Sequence, residues 1–103
     1  MSPTLTARAK QWLKAVASSQ PEVNYAQLTF VQSAIIVRSK KLSLSGFLSA
    51  DTIGEFLFDK TAKWIAAGTP LNHVLNALPE DIKGLGIMKM SEDPAEVREK
   101  MGV

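Results

Sequence analysis

The chain has no cysteine and a single histidine. Without cysteine there is no disulfide framework and no zinc–thiolate site, and a reducing compartment is permitted. One histidine, His73, cannot complete an ordinary zinc site by itself. Long apolar runs are also missing. The uncharged stretch from Val23 to Val37 is too short to span a bilayer and contains Asn24, Gln27, Gln32 and Ser33. No apolar segment follows a basic one near the start, so no secretory signal is expected. Proline is scarce, and Pro3, Pro21, Pro70, Pro79 and Pro94 all fall between periodic segments rather than inside them. There is no internal repeat, no low-complexity tract and no composition shift that would mark a second domain. These absences lead to the expectation of one soluble cytoplasmic domain over residues 1–103, without metal or cofactor.

Hydrophobic residues make up 46% of the chain, enough for a folded core. The strongest local signal lies between Ser49 and Pro70. Ile53, Phe56, Leu57, Trp64 and Ala67 share one side of a helical wheel, and Phe58 and Ile65 form a flanking apolar strip. Ser49 or Asp51 is suited to cap the start, and Gly68 sits where a left-handed residue ends a helix. Thr69 is expected to cap a following helix with Pro70 at its first position. Gly54 costs roughly 1 kcal/mol in a helix interior and points to a close helix crossing. Lys60 interrupts the apolar stripe between Phe56 and Trp64, where its stem can cover apolar surface and its ammonium can approach Trp64.

Around this helix the rest of the chain parses into further helices. Ser2-Pro3 opens one with Leu5, Ala9, Trp12 and Val16 as its buried stripe. Between Asn24 and Ser39, Leu28, Val31, Ile35 and Tyr25 cluster on one side, while Phe30, Ala34 and Val37 lie across from them. A helix apolar on two faces follows. The competing reading is a β-hairpin at about 28–45, supported by β-branched residues and by the alternation of Leu42-Ser43-Leu44-Ser45. With the helix preferred, Leu42 to Leu48 becomes a connector laid over the core. Leu71, Val74, Leu75 and Leu78 form the inner side of a short helix. A further turn from Pro79 is expected to end at Gly84-Leu85-Gly86. Asp93-Pro94-Ala95-Glu96 starts a last helix that docks weakly over about 91–103. The fold class expected is all-α, four to five helices around a central one at about 50–67. The alternative is α+β.

Catalytic chemistry finds little support. His73 is predicted on an outer helix face, with no strand–turn nucleophile motif to accompany it. Glu80-Asp81 and Glu92-Asp93 stand at helix starts, where carboxylates complement the dipole. Gly84-Leu85-Gly86 lacks the preceding strand and third glycine of a dinucleotide loop. No catalytic residue is assigned, and the chain is expected not to be an enzyme.

Charge is unevenly distributed. Up to Lys41 there are six basic side chains, Arg8, Lys10, Lys14, Arg38, Lys40 and Lys41, against Glu22 alone. From Leu42 onward six basic residues face nine acidic ones. The basic set is a candidate for phosphate contacts and supports nucleic-acid binding as the alternative function. Against it, Trp12 and Tyr25 are expected on packing faces, leaving no stacking platform. The preferred reading is a small helical protein-interaction domain of adaptor, regulator or inhibitor type, binding another protein or a second copy of itself. Apolar surplus is its basis, with Phe58, Lys60, Ile65, Met88 and Met90 as the expected contact residues. A far-UV circular dichroism spectrum dominated by helix is the expected outcome for this chain; clear strand character with weak helical signal would reject the all-α reading.

Overall fold

Ser49 is the last residue of the connection between two long helices, and its side chain accepts from the backbone N–H of Thr52 at 3.1 Å. In the computed structural model, which describes residues 4–102, six helices follow one another and no strand occurs among the described residues. They are α1 (Leu5–Ser19), α2 (Tyr25–Ser43), α3 (Ala50–Ala66), α4 (Leu71–Asn76), α5 (Ile82–Met90) and α6 (Pro94–Lys100). The protein is all-α, and the hairpin alternative is excluded. The expected start at Ser2-Pro3 lies outside the described residues; Thr4 caps α1 by accepting from the Ala7 N–H.

The first three helices pack on one another in every pairing. Most of the stripe residues that periodicity predicts are buried: Leu5, Ala9, Trp12 and Val16 on α1, Leu28, Val31 and Ile35 on α2, Ile53, Leu57 and Trp64 on α3; of the others, Phe56 is half-buried and Tyr25 and Ala67 are exposed. Trp12 and Phe58 meet at a centroid distance of 5.5 Å with planes tilted by 50°, an arrangement that suits the ring quadrupoles. Gly54 is the crossing point. A Cβ placed there would overlap Leu5 Cδ1 of α1 and stand 3.4 Å from Ser39 Oγ of α2. Ser39 is itself fully buried, and its hydroxyl donates to the Ile35 carbonyl at 2.7 Å, so no polar atom is stranded at the crossing. Ser49 takes the N-cap of α3, which leaves Asp51 free for a longer-range task. Its Oδ1 accepts from the Leu5 N–H at 2.8 Å, closing one of the open donors of α1 with a side chain from α3.

Gly68 ends α3 as expected. With φ at +93°, its N–H donates to Ile65 O and the next N–H, of Thr69, to Trp64 O, both at 3.0 Å. This double closure satisfies the last carbonyls and needs a left-handed residue. The following start is one residue later than the sequence suggests. Pro70, not Thr69, occupies the cap position of α4, and no side chain caps it. Pro fixes φ near the value a helix entry needs, so the cap hydroxyl is dispensable.

Three boundaries depart from the sequence reading. Helix α2 continues to Ser43 and carries Leu42 into the core, so the connector is shorter than expected. That connector does not cover the core either, since Leu44 and Phe47 are exposed. Helix α5 runs through Gly84 and Gly86 instead of ending there. Gly84 is buried, and a Cβ there would stand only 3.1 Å from Met101 Sδ and 3.2 Å from Pro79 Cβ, so close packing there offsets its low helix propensity. Val74 replaces Leu71 and Leu75 as the buried residue of α4; those two leucines are half-buried. Helix α6 is anchored by Val97, fully buried, and Trp64 Nε1 donates to the Glu92 carbonyl at 3.0 Å, fastening the segment before it to α3.

Gly54→Val is expected to destabilise the protein by about 1–3 kcal/mol through overpacking. Leu5→Ala in the same chain should recover part of that loss, giving a double variant more stable than the summed single losses imply. Urea titrations of the four proteins measure this. Strict additivity would show that Leu5 and Gly54 do not share the crossing.

Candidate interaction surface

Five residues were expected to form an exposed apolar contact surface, and the structure separates them. Phe58, Ile65 and Met88 are buried in the core. The reason is physical: α3 is apolar on two sides because α1, α2 and α4 all pack against it, and Phe58 meets Trp12 of α1. Lys60 is half-buried. The cation–π contact of this region belongs instead to Lys89, whose Nζ lies 5.7 Å from the centroid of Phe56. Only Met90 is open to solvent, at 80% exposure.

The apolar surplus lies on α2. Its inner face, Leu28, Val31, Ile35 and Leu42, is sealed in the core. Its outer face carries Phe30 and Val37, each 65% exposed, and continues into Leu44 at 85%. These three residues recur every seven positions and therefore line up along one edge of a helix. Ala26, Ser33 and Lys40 fall between them at the alternate three- and four-residue steps, and all are exposed. The result is a six-residue stripe in a heptad pattern, pointing away from the core. Tyr25, expected on a packing face, is exposed at the first turn of α2. The two-faced character of this helix was visible in the sequence; that its outer face has no cover became visible only with α4, α5 and α6 in place.

The stripe is flanked by grooves. Beside Phe30, a depression is lined by Gln27, Pro70, Leu71, Asn72 and Leu75. Beyond Leu44, Phe47 and Leu48 border a separate groove with Ile82, Leu85, Gly86 and Lys89.

The basic residues are divided as well. Arg8 pairs with Asp59 across the α1–α3 contact. Arg38 donates to the carbonyls of Leu78 and Pro79 at 3.1 and 2.8 Å and pairs with Glu80 at 3.3 Å. Lys41 reaches the other oxygen of the same carboxylate, also at 3.3 Å. The basic first part of the chain is thus joined to the acidic second part within the fold. Lys10, Lys14 and Lys40 are exposed and make no ion pair among the described residues. Three of the six candidate phosphate contacts are consequently engaged in structural pairs.

Asp81 and Asp93 cap α5 and α6, accepting from Gly84 N–H and Ala95 N–H. His73 is exposed. Among the described residues, no group of three or more His, Asp and Glu side chains is placed to hold a metal ion, and no helix is long and apolar enough to cross a membrane. Comparison with known protein families, with characterised proteins and with solved structures yields no match to this chain.

Core and surface positions should separate cleanly in stability measurements. Phe58→Ala is expected to cost about 3–5 kcal/mol, and Met90→Ala no more than about 0.5 kcal/mol. Chemical denaturation of the two variants checks this; similar losses at both positions would contradict the burial described.

Proposed function

We propose that this chain is a small non-enzymatic protein-interaction domain that binds its partner through the outer face of α2. The observation that carries the reading is the solvent-exposed heptad stripe of Phe30, Val37 and Leu44. Scattered apolar residues on a surface need no explanation, but large apolar side chains aligned at heptad spacing along one edge of a helix, with Ser33 and Lys40 between them, are the kind of surface that marks an interface. The helix beneath it is held firmly. Its inner face is embedded in the core, Gln32 Nε2 donates to the Ala9 carbonyl at 2.9 Å, and Arg38 is fixed to two carbonyls of the α4–α5 connection. A binding face mounted on such an element loses little conformational freedom on association. Adaptor, regulator and inhibitor roles are all compatible with a face of this kind, as is action in the cytoplasm.

The test is a matched capture experiment. Wild-type chain, Val37→Asp and Met90→Asp serve as baits, with light scattering behind a sizing column to follow self-association. Because Val37 and Met90 are both exposed, all three proteins should have the same circular dichroism spectrum and melting temperature. A specific partner, or a dimer, present for wild type and Met90→Asp but lost for Val37→Asp is the expected result. Identical behaviour of all three baits would reject α2 as the interface.

A further inference from the structure

The face around the α2 stripe has a chemical bias as well as a shape. Helices α1, α2 and α4 contain no aspartate or glutamate. Of the helices packed beside α2, only α3 brings carboxylates, and α3 lies beneath the inner face, where Leu28, Val31 and Ile35 are sealed. At the lysine end of the stripe, Glu80 is already shared between Arg38 and Lys41; at the other end, Glu22 is exposed and precedes α2. On the outer side Lys40 lies in the stripe and Lys41 beside it, both in the last turn of α2. The opposite end of the stripe is flanked by the uncharged side chains of Asn24 and Gln27.

We infer that the partner bound by this face is an amphipathic α-helix with acidic flanks, lying antiparallel along α2. The inference rests on the interaction reading above and specifies its occupant. A helix fits because Phe30, Val37 and Leu44 repeat at the spacing that a second helix matches. The steps from Phe30 to Leu44 cover about 21 Å at the helical rise. Ala26 and Ser33 leave low points between the larger side chains where a partner's apolar residues can seat. An acidic partner fits because the cations at Lys40 and Lys41 have only one carboxylate nearby, and complementary charge raises the encounter rate and sets orientation. The antiparallel sense follows from where those cations stand. They mark the C-terminal end of α2, and the segment of a partner that best carries aspartate and glutamate is its own N-terminal turn. A second copy of this chain is disfavoured, since in the antiparallel sense the lysines of one α2 would meet the first turn of the other, which holds no acidic residue, Glu22 lying before the helix. A nucleic acid would use the lysines but gains nothing from the apolar stripe.

A displayed library of helical peptides about three heptads long, long enough to cover the stripe, with randomised apolar and flanking positions, is selected against the full chain. Expected are peptides with apolar residues at three- and four-residue spacing and with Asp and Glu enriched in the N-terminal half. Binding of the best synthetic peptide should weaken at least about tenfold in Val37→Asp and in Leu44→Asp, the latter at a position too exposed to disturb folding. Lys40→Gln with Lys41→Gln should weaken it less, with a difference that shrinks as salt is raised. Enrichment of neutral or basic peptides would overturn the acidic-helix inference while leaving α2 as the binding face. Acidic peptides indifferent to Val37→Asp and Leu44→Asp would overturn it too, and would place binding elsewhere. A concentration-dependent dimer abolished by Val37→Asp, with no peptide enriched, would replace the inferred partner with a second copy and keep the interaction reading. A monomer that enriches nothing, or that binds only a single-stranded oligonucleotide through Lys10, Lys14 and Lys40, would overturn both.

Discussion

The close approach of α1 and α2 to α3 at Gly54 is the contact on which the remaining geometry depends. Leu5 fills the space that a side chain at position 54 would take, and Ser39 closes the other side. One turn earlier Asp51 accepts from the Leu5 N–H, so packing and hydrogen bonding fix the same point. From there the helices diverge enough to admit Trp12 and Phe58, the largest fully buried pair. Had position 54 carried even a methyl group, the Leu5 side chain would have to move out of the crossing, and the packing of α1 on α3 would adjust around it. The helix-propensity cost of glycine is small beside the burial it permits, because interiors are close-packed and transmit such displacements.

That crossing also explains which parts of the architecture were readable from the amino-acid order. Stripes that face a single neighbour, such as Leu5, Ala9, Trp12 and Val16, follow directly from the 3.6-residue period. End signals that act within a few residues, Ser49, Gly68 and Asp93, were readable for the same reason. Residues on a second apolar face were not. Phe58 and Ile65 on α3 look like Phe30 and Val37 on α2 when each helix is drawn on a wheel, and periodicity treats them alike. What separates them is tertiary packing: α1 brings Trp12 against Phe58, and α4, delivered by the turn at Gly68, packs against α3 and α2, while the far side of α2 is left bare. The choice between inside and outside was made by topology, at a range that local patterning does not reach. The boundaries at Leu42, Gly84 and Gly86 were misjudged in a related way, since tertiary packing there overrides weak local preference.

The division of charge along the sequence has a use within the fold. Arg8 with Asp59, and Arg38 and Lys41 with Glu80, each join a basic residue from the first part to an acidic one from the second. Their partners are substantially exposed, so each pair adds little to stability on its own. Their larger effect is geometric. Arg38, half-buried and holding two carbonyls besides, positions the α4–α5 connection against α2. Lys40, one helical step away from that network, is left without a counter-charge among the described residues and gives the outer face its sign.

The hydrogen bond between Leu5 and Asp51 spans 46 residues of sequence. Without α3, helices α1 and α2 could keep their mutual contact but would lose the Asp51 carboxylate at the Leu5 N–H and the Phe58 ring against Trp12, and part of the inner face of α2 would stand open beside the outer one. Closure of a loop carries an entropic cost that rises only slowly with its length, so the long separation of Leu5 and Asp51 along the chain adds little to the cost of joining them, while the bond ties the start of α1 to a helix two elements away.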